Sequence, residues 1–298
     1  MIPASSLIHA LLKASLIAII GLAPTLLQGA TDSSFKPSPV PGGVAVIDLG
    51  SSNDPRPTVH FGTKRTMVVD QDGRWKALIG LPLTVLPGSK IISVQRAEKS
   101  REEMISFQIA PKNYPEQRIK IKETKYVSPD KEQLARISKE AGHIGAQFRI
   151  WRDVSDIPLL MDWPVDGRLS SPFGLKRFFN DKPRKPHSGI DIAAPEGTDI
   201  LMPISGVVTD TGDYYFNGNT VFIDHGQGMI SMFCHLSKIN VKKGDVLARG
   251  QKVGEVGKTG RVTGPHLHWS LSLNQSRVDP MLFLPEHKDA GQTGTDSK

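Results

Sequence analysis

The sequence predicts an all-β chain of two domains joined by one helix. Three observations carry that reading. Residues 43–126 hold short alternating apolar runs broken by turn signals. Residues 127–150 hold a single stretch of helical periodicity. Residues 151–285 are rich in Gly and Pro, with β-like runs alternating with tight turns.

The chain opens on "MIPASSLIHALLKASLIAIIGLAPTLLQGA". Its apolar run after Lys13, from Ala14 to Leu27, is short for a membrane span and suits the core of a signal peptide. Residues 1–30 are therefore expected to be a signal peptide cleaved near Ala30, with an uncleaved anchor helix as the alternative, which predicts an exported, periplasmic or cell-envelope protein with no stable membrane span expected. No Cys lies there, so a lipoprotein anchor is excluded. Residues 31–42, "TDSSFKPSPVPG", read as a linker.

Residues 43–126 follow as the N-terminal domain. The runs "GVAVIDL", "TVHF", "RTMVVD", "RWKALIGLPL", "KIISVQRA", "EEMISFQIA" and "QRIKIKE" predict six or seven short strands, and so a small β-sandwich. "NDP", "DQDG", "LPGS" and "PKNYP" mark the turns. His60 reads as a surface strand residue.

For the helix, Ser128 suits the N-cap, Pro129 the first helical position, and Asp130 the positive end of the dipole. Leu134, Ile137, Ala141, Ile144 and Phe148 recur on one face. The predicted helix, 127–150, links the two domains.

Residues 151–285 read as an antiparallel β domain with many hairpins, and residues 286–298 as a disordered tail. "GDVLARGQKVGEVG" has the glycine turns of biotinyl-carrier folds, but the lysine that would carry a prosthetic group is missing.

Charge is unevenly spread. Residues 1–150 carry 20 Lys and Arg against 13 Asp and Glu, while residues 151–298 carry 17 of each. The N-terminal excess fits a solubilising face, and an anionic wall polymer as a lesser option. No basic stripe interleaved with aromatics points to nucleic acid. The single Cys234 cannot form an intramolecular disulfide, and "SMFCHLS" reads as a buried strand holding an inert thiol.

The chemistry concentrates in the C-terminal domain. Five of the nine histidines fall between His187 and His268. His266 and His268 in "GPHLHWSL" point to one face of an extended strand. His187 and Asp191 in "HSGIDIAAPEGT" share a face on an extended segment. Together with His268 they make a set of two histidines and one carboxylate, a donor set that suits catalytic zinc with a fourth position open to water. Zinc lowers the pKa of that water to about 7.

"HSGIDIAAPEGT", "MFCHLS" and "TGPHLHWSL" resemble, in order, the three motifs of the lysostaphin/LytM-type zinc metalloendopeptidases, and "RLSSPFG" and "VDP" also fit. The resemblance covers roughly residues 163–284. It implies a lysostaphin-type peptidase domain with one Zn²⁺ per chain, held by His187, Asp191 and His268. It implies His235 and His266 as the two catalytic histidines outside the ligand set, one acting as base and the other stabilising the oxyanion. The substrate it implies is the peptide stem of bacterial peptidoglycan, with the D-Ala to diaminopimelate cross-link as the expected bond.

The rival reading is a non-catalytic wall-binding or hydrolase-activating relative. All five motif positions are present, so the sequence gives that reading no support. His225 in "IDHGQG" reads as a structural residue at a hairpin turn. Tyr214 and Tyr215 fall near the expected groove with no role assigned. Arg184 and Lys185 read first as a solvated loop and second as contacts to a substrate carboxylate. The N-terminal domain is open to a targeting role, an inhibitory role, or contact with a regulatory partner.

Overall fold

The computed structural model describes residues 35–120 and 129–286. The expected signal peptide, Ser128 and His287 lie outside the described residues. The N-terminal half forms β1 (Val44–Ser51), β2 (Thr58–Phe61), β3 (Lys64–Arg65), β4 (Met67–Gln71), β5 (Arg74–Gly80), β6 (Gly88–Gln95), β7 (Glu103–Ile109) and β8 (Glu116–Ile119). Helix α1 (Lys131–Gln147) comes next. The C-terminal half begins with β9 (Arg168–Ser171), β10 (Lys176–Phe179), β11 (Lys182–Pro183), β12 (Ile190–Ala193) and β13 (Asp199–Leu201). It continues with β14 (Gly206–Tyr214), β15 (Gly218–Gly226), β16 (Met229–Leu236), β17 (Lys238–Ile239) and β18 (Val246–Leu247). It ends with β19 (Lys252–Glu255), β20 (Leu267–Leu273), β21 (Ser276–Val278) and a 3-10 turn at Pro280–Phe283.

The sandwich expected of the N-terminal half is present. Strands β1-β5-β4 form one sheet and β3-β2-β6-β7 the other. Ala45, Val68, Ala77 and Ile79 of the first face Val59, Ile92, Val94 and Phe107 of the second. Turn chemistry sets the register locally. Asp72 and Gly73 both have positive φ, 55° and 75°, as a tight β4–β5 hairpin requires.

The opposite face of β1-β5-β4 is also buried. Val44, Met67, Val69 and Leu78 alternate with the sandwich residues and join the main core of the C-terminal half, beside Leu271, Leu273 and Phe283. Each such side chain contributes roughly 1.5–3 kcal/mol when buried. Polar contacts reinforce the seam: Asn274 receives the Gly80 N–H at 2.7 Å and donates to the Gly80 carbonyl at 3.0 Å. Gln227 does the same for Val68, at 2.9 and 3.1 Å. One hydrophobic core is therefore shared between the two halves, beside the sandwich's own. Residues 35–42, read as a linker, run along this seam, with Phe35 against Phe283 at 4.8 Å and the Lys36 N–H bonded to Leu282 O.

Two sequence expectations are corrected. The run containing "QRIKIKE" does not add a strand to the sandwich: β8 pairs in parallel with β10 of the C-terminal half, in a sheet ordered β11-β10-β8. Helix α1 is capped by Asp130, not Ser128. Asp130 has extended backbone, its carboxylate accepts the Gln133 N–H at 2.8 Å, and the Gln133 side chain accepts the Asp130 N–H at 3.1 Å. This reciprocal box satisfies two helix-terminal donors. The helix is also lightly packed, with Leu134 53% exposed and Gln147 its only buried residue.

The C-terminal half is built on an antiparallel sheet of order β18-β14-β15-β16-β20-β12-β9, with β21 on the far part of β20. All eight residues of β16 are buried. One face covers the main core. The other carries Tyr214, Phe222, Ile230, Met232 and Cys234, with Phe148 at the end of α1 packed against them, and the histidine cluster continues that face.

Candidate metal centre

Strand register assembles the cluster. Asp191 on β12 pairs directly with His268 on β20, and His268 pairs with Cys234 on β16. Residues paired in this way share a face. His187 precedes β12 and is fixed by its backbone, which donates to Leu175 O and accepts from Gly174 N. Gly189 then lets the chain pass over the ring of His268. A Cβ at that position would lie 2.4 Å from Trp269 O and 2.8 Å from His268 Nε2.

His235 reaches the site by breaking the strand pattern. Alternation along β16 would send it away from the face that Cys234 occupies. A register shift between β15 and β16 and a φ of 68° re-aim it. Its ring lies 4.9 Å from that of His266 and 6.1 Å from that of His268.

His187 Nε2, Asp191 Oδ1 and His268 Nδ1 converge. The three atoms lie 2.7–3.0 Å apart pairwise. His187 is 2% and Asp191 7% exposed. The other ring nitrogens are already committed. His187 Nδ1 donates to Pro172 O at 2.8 Å. His268 Nε2 donates to Ser270 Oγ at 2.9 Å, whose own hydroxyl donates to Ser188 O. Both imidazoles therefore present lone pairs to a carboxylate oxygen. Three acceptors facing one point in a buried site fit a cation, and two nitrogens with one oxygen fit zinc. These are the residues whose ligand atoms lie within reach of one ion among the described residues.

The electrostatics agree. Burial would raise the Asp191 carboxyl, but the two imidazoles beside it, His187 and His268, outweigh burial and hold the group well below the usual carboxylate range. Burial pushes His268 down to about 4, against the pull of Asp191. Burial, with repulsion from His268 and His266, pushes His235 down to about 3. His235 and His268 are thus neutral rings. His235 Nδ1 donates to Thr259 O at 2.9 Å and His266 Nδ1 to Gly264 O at 2.9 Å, leaving Nε2 of each as the acceptor. His266 Nε2 is 3.9 Å from Asp191 Oδ1.

The cluster opens into a groove of 490 Å³. Arg177, Arg184, Lys185 and Arg261 make it cationic, and Ile137, Ala141 and Ile144 of α1 form one wall. Arg261 is stacked on Phe216 at 4.2 Å and on Phe179 at 4.8 Å. The structure thus brings together all five histidine and aspartate residues singled out in the sequence, and places Arg184 and Lys185 at their rim.

Of the remaining candidates, Tyr214 also lines this groove. Tyr214 Oη donates to Asp210 at 2.5 Å, and Tyr215 Oη to Gln133 of α1 at 2.8 Å. His225 is buried at the end of β15, beside the turn into β16, and is structural. It donates from Nδ1 to Ser205 O and accepts the Ser231 hydroxyl at Nε2, while Trp269 Nε1 donates to that same hydroxyl. Cys234 is buried, and burial raises its thiol to about 12, so no nucleophile is available there. His60 lies on β2, half-buried. Sequence reasoning missed Arg177, whose guanidinium contacts Asp191 Oδ2 at 2.8 Å. No local pattern marks it.

Residues 185–280 match peptidase family M23, and residues 37–112 match the peptidase family M23 N-terminal domain. The peptidoglycan DD-endopeptidase ShyA of Vibrio cholerae is 44% identical over 122 residues, 40% of this chain and 28% of that protein. The DD-carboxypeptidase/endopeptidase Mpg of Neisseria meningitidis is 40% identical over 114 residues, 38% of this chain and 26% of that protein. The match thus spans little more than a quarter of either relative. A crystal structure from Pseudomonas aeruginosa, described as a candidate peptidase M23, is 44% identical, with a TM-score of 0.70. That match covers 83% of this chain and 95% of the other. With the fold, the N-terminal domain and the peptidase domain all matched, the chain belongs to peptidase family M23.

Proposed function

We propose that the protein is a zinc-dependent endopeptidase that hydrolyses peptide cross-links of bacterial peptidoglycan. The observation that carries this reading is the buried convergence of three acceptor atoms beside two further imidazoles with open Nε2 atoms. The relatives named DD-endopeptidase support the substrate class. Stem peptides bear free carboxylates, and the cationic groove suits them. The bond proposed is D-Ala to diaminopimelate.

His187, Asp191 and His268 would hold the zinc. When bound, the ion supplies a Lewis acid for the scissile carbonyl and makes hydroxide available near neutral pH. The protein's share is proton transfer and positioning. Nε2 of His235 or His266 accepts the proton of the attacking water, and the other ring, when it carries a proton on Nε2 as well as on Nδ1, donates to the developing oxyanion. The pair then returns a proton to the leaving amine. Thr259 O and Gly264 O each hold a proton on Nδ1, which leaves Nε2 of the base free to accept. Arg184, Lys185 and Arg261 orient carboxylates of the substrate.

An exported location follows from the substrate and from the leader-like residues 1–30. No described helix is long and apolar enough to cross a membrane. The core shared with the N-terminal half argues for a fixed support rather than a lid that swings away. Restriction of the groove, or its relief by a partner, would act through α1, whose apolar side lines it.

The test is digestion of cross-linked peptidoglycan by residues 31–298, with separation of the products. Loss of D-Ala–diaminopimelate dimers that a chelator blocks and Zn²⁺ restores is the expected result. Unchanged dimers in the presence of bound zinc would refute the substrate assignment.

A further inference from the structure

Asp191 has two carboxylate oxygens, and the structure assigns them different duties. Oδ1 faces His187 and His268. Oδ2 receives Arg177 Nη2 at 2.8 Å, in a contact largely shielded from water. The same Nη2 donates to Ser171 Oγ at 3.0 Å, while Arg177 Nε donates to Gln117 Oε1 at 3.0 Å. The guanidinium is therefore fixed at both its Nε and Nη2 ends, as its planar fork permits.

Gln117 is the unexpected member. It lies on β8, the strand that leaves the N-terminal half to pair with β10, and it sits directly opposite Arg177 in that parallel pairing. The backbone secures the register on both sides: Lys176 N–H bonds Pro115 O, and Asn180 N–H bonds Ile119 O. The N-terminal half thus supplies an outer support of the cluster, 74 residues before the aspartate it serves.

We propose that Arg177, oriented by Gln117, is a positioning residue for the metal. By occupying Oδ2 it restricts Asp191 to one-oxygen ligation through Oδ1 and keeps a coordination position open for substrate. This rests on the metal reading of the cluster. Residues that orient a ligand in this way typically govern about 10–100-fold in metal affinity.

The experiment measures Zn²⁺ affinity by competition with a chromogenic chelator, on the full chain and on its Arg177→Ala, Arg177→Lys and Gln117→Ala variants. The Co²⁺-substituted forms are compared by visible absorption, which reports coordination number. Arg177→Ala is expected to weaken zinc binding about 10–100-fold and to lower the Co²⁺ absorption as Asp191 turns two-oxygen. Arg177→Lys keeps the charge but loses the fork, so it rescues affinity only in part. Gln117→Ala shifts both readouts the same way by a smaller factor, with thermal unfolding unchanged, which separates positioning from folding. Wild-type affinity and an unaltered Co²⁺ spectrum in Arg177→Ala would overturn the proposal and leave the metal reading intact. A wild-type chain that binds neither ion would overturn both.

Discussion

Asp191 and His268 are direct partners across β12 and β20, and Asp191 Oδ1 stands 2.7 Å from His268 Nδ1. Two adjacent central strands therefore fix two of the three converging donors, with no loop between the donors and the sheet. A rigid backbone holds such a constellation better than mobile segments do. His187 is the one member placed by a loop, and its ring is locked by Pro172 O.

His235 and His266 should separate chemistry from metal binding. Substituting either by Ala is expected to lower kcat by about 100–10,000-fold, the usual share of general acid–base catalysis. Zinc content should stay at the wild-type level. Turnover with elemental analysis on the same samples checks both halves, and metal loss in these variants would place them among the ligands.

Glu140 ties α1 to the groove wall, with Oε2 accepting the Tyr215 N–H at 2.8 Å and Oε1 accepting from Arg136 at 2.6 Å. Glu140→Ala removes both contacts, each worth about 1 kcal/mol or somewhat more. If α1 limits entry, kcat/KM on polymeric peptidoglycan should rise up to roughly tenfold. A short soluble peptide should respond less. Equal kinetics on both substrates would show that the helix does not gate the groove.

The seam between the halves should make them unfold together. Asn274→Ala leaves the N–H and C=O of Gly80 buried and unpaired, at a cost of about 2–4 kcal/mol. Asn274 also has a φ of 38°, which an alanine tolerates poorly. Calorimetry should show one transition for residues 31–298 and a fall of several degrees in the variant. Two separate wild-type transitions would contradict the shared core.

Acid stability should depend on His225. Burial pushes this ring down to about 4 from its ordinary 6.5, against the hydrogen bond to Ser205 O that favours the charged form. Between these values the unfolded chain binds a proton that the folded chain does not. Stability is therefore fully present above about 6.5 and lost as pH falls toward about 4, by roughly 3 kcal/mol in all. Below about 4 both states are protonated and this contribution stops changing. His225→Phe should flatten the slope of Tm against pH in that window. An unchanged slope would mean that other groups set the acid limit.

The cluster was legible because His187, Asp191, His235, His266 and His268 lie in short motifs whose spacing survives folding. Arg177 and Gln117 were not, since 60 residues separate them and neither interrupts a local pattern. The sandwich was legible from alternation in "TVHF" and "EEMISFQIA". The buried seam was written in "VAV" and "MVV", near-continuous apolar runs that mean burial on both faces. Periodicity located α1 but not its role, because an apolar stripe reads the same against a core or a groove. The cap was missed for a chemical reason: Asp130 and Gln133 form the reciprocal box that Ser128 would have had to form.

The most direct test of the central claim is zinc stoichiometry paired with hydrolysis, for residues 31–298 and for His268→Ala. The account predicts one zinc per wild-type chain, cleavage lost on chelation and regained with Zn²⁺, and neither zinc nor cleavage in the variant. A wild-type chain without zinc, or a variant that still holds zinc and cleaves, would contradict it.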